Sequence, residues 1–198
     1  MTVDEGTNWV PLKDGIPTVA VRDIEIQRRE NDLVAGTFGR GFYVLDDYTP
    51  LRQLDDATLD ADAAVFPVKN ALMYIQDRPF SGDDKAYQGA AFFTAPNPPF
   101  GATFTYYIKE SFKTRKDVRR KKDDELDKEG KDAFYPTWDE LKEEDREEKP
   151  GVFLTVRDNA GNVVRRLDGK SSKGIHRVTW DFRYPGFRPA ELDDDGYG

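Results

Sequence analysis

The alternation of apolar and polar positions predicts a mainly β chain. From Val21 through Ile26 (VRDIEI) apolar and polar residues alternate with a period of two, the mark of a strand with one face against a core. The polar turn Arg29–Asp32 leads into a second run at Asp32–Thr37 (DLVAGT), and Gly39-Arg40-Gly41 links it tightly to a third at Phe42–Asp46 (FYVLD). Strand patterns return at Ala64–Val68, with a possible extension over Ala71–Ile75, at Ala90–Thr94, and at Ala102–Ile108. Three more follow at Val152–Arg157, Val163–Leu167 and Ile175–Asp181, separated by turns rich in Asp, Asn and Gly.

Two stretches break this pattern. Residues 51–63 are short, polar and acidic, with a helical turn expected from Thr49 to Leu54, and read as a linker. Residues 110–149 carry almost no apolar side chains and cannot supply a core. They suit a solvated helical insertion, with Thr137 as N-cap, Glu140 completing a capping box, and Trp138 and Leu141 placed to pin the helix to the sheet beneath. The division that results is 1–50, a linker at 51–63, and 64–198 with an insertion at 110–149.

Composition narrows the function classes. Charged residues make up 34% of the chain and the net charge is −8, which disfavours nucleic acid and anionic lipid as partners. The basic cluster Arg115–Lys122 is screened by the acidic run beside it. Aromatic residues reach 13%, too many for a disordered chain, so a core is required. With no cysteine and one histidine, His176, a disulfide scaffold, a thiolate nucleophile and a zinc site are all disfavoured. His176 shares a strand face with Val178 and Trp180 and reads as half-buried and structural; Trp180 reads as a core aromatic, and Asp181 as closing the turn after it. The terminal triplet Asp193–Asp195 lacks the spacing of a calcium loop. No cofactor is implied.

Thr2-Val3-Asp4-Glu5-Gly6-Thr7-Asn8-Trp9 fits Ser/Thr-x-Asp-x-Gly-x-x-Trp and resembles the Asp-box of BNR-type propellers. In that motif Asp4 clamps a turn, Gly6 supplies a positive φ, and Trp9 plugs the hairpin. Together with DGIPTVAVRDIEI and NDLVAGTFGRGFYVLDD, the segment resembles the C-terminal end of bacterial sortilin/VPS10-like BNR-repeat propeller proteins, often labelled glycosyl hydrolase-like. The later run VRDNAGNVVRRL…KGIHRVTWDFR resembles a FlgD-type immunoglobulin-like module.

The resemblance implies one incomplete propeller blade followed by an Ig-like or fibronectin-III-like sandwich lacking its closing strand. It also implies an exported parent, extracellular, periplasmic or on the cell surface, whose signal lies upstream. The function it implies is a non-catalytic C-terminal module that supports propeller closure and carbohydrate or protein binding. Its partners would be the remainder of the parent propeller and a glycan or protein ligand, with no membrane insertion. The alternatives are a piece of a sialidase-superfamily glycoside hydrolase and a peptide-binding propeller of sortilin type. No carboxylate stands out in the sequence as a general acid in an apolar pocket, and no nucleophile motif is present. Gly39-Arg40-Gly41 lacks the Lys-Ser/Thr of a phosphate loop and leads into a strand. Arg40 is the single ligand-binding candidate, for a carboxylate or a sugar hydroxyl.

Overall fold

A computed structural model describes residues 2, 5–9, 11, 15–75 and 97–186. The architecture is mainly β with a minor helical part, in three antiparallel sheets. The expected strand at Ala90–Thr94 and the acidic triplet Asp193–Asp195 lie outside the described residues.

The first sheet is a meander of β1 (Val21–Gln27), β2 (Asp32–Thr37) and β3 (Phe42–Leu45), in that order. The pairing Ile24↔Ala35 and Ile26↔Leu33, continued by Ala35↔Tyr43 and Leu33↔Leu45, gathers six apolar side chains on one face. The other face carries Asp23, Glu25, Val34, Phe42 and Val44. The β2–β3 turn closes on Gly41, whose carbonyl oxygen accepts from both Thr37 N (3.1 Å) and Thr37 Oγ1 (2.7 Å).

The connection expected as a linker is more ordered than its composition suggests. A 3₁₀ turn spans Thr49–Gln53, with Pro50 buried. Helix α1 (Asp56–Asp60) then starts on Asp55, whose carboxylate accepts from Thr58 N at 2.7 Å. Leu54 between them is buried.

A second sheet has the order β4 (Ala63–Val65), β5 (Ala102–Ile108), β8 (Gly174–Trp180); the third pairs β6 (Val152–Arg157) with β7 (Val163–Gly169). These two sheets meet over Tyr106, Ile108 and Leu154, with Phe104, Val152, Leu167 and Val178 around them. Ile108, 1% exposed, is the most deeply buried. Tyr106 lies 5.4 Å from the His176 ring and donates its hydroxyl to Lys170 O at 2.9 Å. His176 is half-buried, with Nε2 2.6 Å from Ser172 O, as suits a structural histidine. Gly169 is required here: a Cβ would sit 2.6 Å from Tyr106 Oη and 3.2 Å from Leu154 Cδ1.

Three expectations are corrected. Residues 71–75 do not extend a strand; Leu72, Met73 and Ile75 are exposed, and no sheet edge among the described residues receives them. Trp180 is only half-buried: it lies at the end of β8, its indole N–H bonds Arg183 O at 2.9 Å, and its ring meets Phe182 edge-on. The insertion between β5 and β6 is a hairpin of α2 (Arg115–Lys128) and α3 (Trp138–Arg146), each opened by a capping box, on Thr114/Asp117 and on Thr137/Glu140. Its helices are held to each other by charge: Arg119 on α2 donates to Glu144 on α3 (2.6 and 2.8 Å) and, within its own helix, to Asp123 (3.1 Å). Trp138 therefore pins nothing and is 78% exposed.

Candidate functional site

The two faces of the β4–β5–β8 sheet differ in chemistry because of register. Phe104, Tyr106, His176 and Val178 point toward β6–β7, whereas Thr103, Thr105, Arg177 and Thr179 share the opposite face. Against that second face lie the end of β3 and the β1–β2 turn of the meander. The result is a cleft of about 460 Å³, floored by Thr103, Thr105, Arg177 and Thr179. One wall is acidic (Glu30, Asp32, Asp46, Asp47) and the other is apolar (Leu72, Tyr74, Pro98, Pro99, Phe100).

Local bonds fix the acidic wall. Asp32 Oδ1 accepts from Asp47 N at 2.9 Å, and Tyr48 N donates to Asn31 O at 2.8 Å, so the chain leaving β3 is tied to the β1–β2 turn. Asp47 takes a positive φ of 43° and accepts from Thr49 N at 3.2 Å. Arg177 crosses from β8 and donates to the main-chain oxygens of Asp46 (2.5 Å) and Asp47 (2.6 Å). At the rim, Lys69 pairs with the Glu30 carboxylate and also donates to Glu30 O at 3.0 Å. On the apolar wall, Tyr74 and Phe100 meet edge to face at 5.1 Å.

The carboxylates differ in their titration. Asp46 is pushed above the usual carboxylate range, first by burial and then by the charge of Asp32, against the opposing pull of Arg177. Glu30 is held below its usual range by its hydrogen bond to Lys69. An Asp with a raised pKa in a half-apolar cleft is the feature absent from the sequence reading, which found no such carboxylate. FYVLDD shows two acids at a strand end, but the cleft that half-buries Asp46 is floored from β5 and β8, more than fifty positions away, and nothing in the local pattern announces it.

Arg40 is not part of the cleft. It is exposed in the β2–β3 turn, at the far end of the meander from Asp32 and Asp46, and makes no hydrogen bond or ion pair among the described residues. In the Asp-box segment, Gly6 has φ +95° and donates its N–H to Thr2 Oγ1 at 2.9 Å, while Trp9 Nε1 donates to Gly6 O at 3.0 Å. Asp4 lies outside the described residues. Trp9 is 72% exposed. Among the described residues no cluster of His, Cys, Asp or Glu has the arrangement of a metal site, and no helix is long and apolar enough to cross a membrane.

No family model matches this chain, and no curated protein or solved structure matches it either.

Proposed function

We propose that the chain is a non-catalytic module of a BNR-repeat propeller protein, in which the meander contributes to a blade and the five-stranded half supports it as an Ig-like domain, with carbohydrate or protein binding as the purpose of the whole. The observation that carries this reading is the meander itself. Ile24 (59% exposed) on one face and Phe42 (80%) on the other are both left to solvent. An antiparallel sheet that belongs at a protein surface has one apolar face; apolar residues on both faces suit a sheet that packs between two others, as blades do. The resemblance of the Thr2–Trp9 segment and of NDLVAGTFGRGFYVLDD to BNR propellers supports the same assignment.

The test is twofold. The purified chain should bind a hydrophobic reporter dye and self-associate in sedimentation, and the double substitution Ile24→Lys/Phe42→Lys should suppress both. Chromogenic glycosides should show no turnover. A monomeric chain that ignores the dye would remove the blade reading. Turnover lost on Asp46→Asn would instead make the chain part of a glycoside hydrolase, with Asp46 and Asp32 as its carboxylates.

A further inference from the structure

The cleft between the meander and the β4–β5–β8 sheet has an electrostatic imbalance that the described residues do not resolve. Among the described residues its lining holds four carboxylates (Glu30, Asp32, Asp46, Asp47) and two cations, Lys69 and Arg177. Both cations are engaged: Lys69 on Glu30, and Arg177 on two main-chain oxygens. Asp32 and Asp47 each accept a backbone N–H. The half-buried carboxylate of Asp46 accepts no hydrogen bond and forms no ion pair among the described residues. Burying an ionised group without a partner is unfavourable, so a cation arriving there gains both the charge contact and relief of the Asp32–Asp46 repulsion. Across the cleft, Phe100 and Tyr74 present aromatic surface, which favours a cation over a neutral group and covers an apolar body. The volume, about 460 Å³, is that of a small-molecule site.

We propose that this cleft binds a small organic ammonium ion carried on an apolar body, its charged end at Asp46 and Asp32 and its body along Leu72, Tyr74 and Phe100. This is independent of the propeller assignment. The Thr103–Thr179 hydroxyl pair, 2.9 Å apart on the floor, supplies a further acceptor for the ammonium N–H groups. Five charged groups among the described residues face Asp46 across the site: Asp32 on β2, Asp47 after β3, Arg177 on β8 and, at the rim, Lys69 and Glu30, which pair with each other. The Asp46 carboxyl is pushed above its usual range by burial and by the charge of Asp32, so its protonation on acidification removes the charge that the ammonium needs.

The experiment is calorimetric titration of the whole chain with phenethylammonium chloride and, separately, with phenethyl alcohol, its neutral counterpart. The ammonium ion should saturate the protein, and the alcohol should bind at least about tenfold more weakly, the effect of one charge-assisted contact. Asp46→Asn should erase that preference, while Arg40→Ala leaves it intact. Amide spectra establish that each variant is folded. In the unaltered protein the ammonium affinity should fall as pH is lowered through the raised range of Asp46, with no such dependence for the alcohol. Equal affinity for the two probes, absence of saturation, or an Asp46→Asn variant that still prefers the cation would each overturn the proposal.

Discussion

The meander and the five-stranded half are built from the same kind of residue and treat it in opposite ways. In β5 and β6, apolar side chains at alternate positions converge on Tyr106, Ile108 and Leu154, and a second sheet covers them. In β1 and β3 the same alternation leaves Ile24, Ile26, Phe42 and Val44 exposed, although the strands are equally well paired. Hydrogen-bonded pairing is therefore not what distinguishes a covered sheet from an exposed one. The difference is whether a second layer covers the apolar face, since burial of apolar surface is the main favourable term in folding.

The strongest way to break the covered half is to open its center. Ile108→Ala should cost about 2–5 kcal/mol, the range for deleting a buried aliphatic group, read as a lower denaturation midpoint. If Ile108→Ala cost as little as an exposed substitution, the core would be misassigned.

A similar loss should follow Gly101→Ala. Gly101 has φ +129°, and a Cβ there would lie 1.9 Å from Trp180 O, at the point where β5 begins opposite the end of β8. The expected cost is about 2–4 kcal/mol from strain and the clash with main chain, which cannot move aside as a side chain would.

Next in size is the bridge between the halves. Arg177→Ala removes both donations to the Asp46 and Asp47 carbonyls, and on an exposed side chain this should cost about 1 kcal/mol. Amide exchange should quicken in β3 and stay unchanged in β6–β7.

The charged hairpin offers a contrast in pH. Glu144 is held below the usual carboxylate range by its hydrogen bonds to Arg119. A depressed folded pKa contributes stability that is complete above the unfolded value and is lost as pH falls through the folded one. Helicity from α2 and α3 should thus fade only on strong acidification, and Arg119→Ala should bring that loss to higher pH. Asp46 has the opposite sign. Its raised folded pKa means that the meander junction is weakened as pH rises through that range, so Asp46→Asn should raise the unfolding midpoint at neutral pH and do nothing in acid.

The smallest effect on stability is expected at the exposed faces. Ile24→Lys and Phe42→Lys should each change folding stability by within about 0.5 kcal/mol, while altering association strongly.

Much of the β architecture was legible because period-two alternation is local. β2, β5 and β6 coincide with the runs Asp32–Thr37, Ala102–Ile108 and Val152–Arg157, and the Thr137–Glu140 capping box forms as its spacing predicts. Three features were not legible, for different reasons. α1 is five residues long, too short for a helical period to register, and is set by one cap, Asp55. Trp138 looked like an anchor because an aromatic beside Leu141 suggests an apolar face, yet the hairpin holds together through Arg119 and Glu144. The cleft was invisible because its members come from the β1–β2 turn and the start of β2, from the end of β3, from residues 69–74 and 98–101, and from β5 and β8, joined only by packing. Arg40, conspicuous between two glycines, lies at the wrong end of the meander to join them.

The account turns on the meander being a sheet without its second layer. Native-state hydrogen exchange on the isolated chain tests this directly, by comparing the amides of Ile24, Ile26 and Val34 with those of Tyr106, Ile108 and Leu154. Opening of the meander at a much lower free energy than the covered half, with Ile108→Ala accelerating only the latter, is the result expected. Equal protection in both, lost together in one cooperative step, would contradict it.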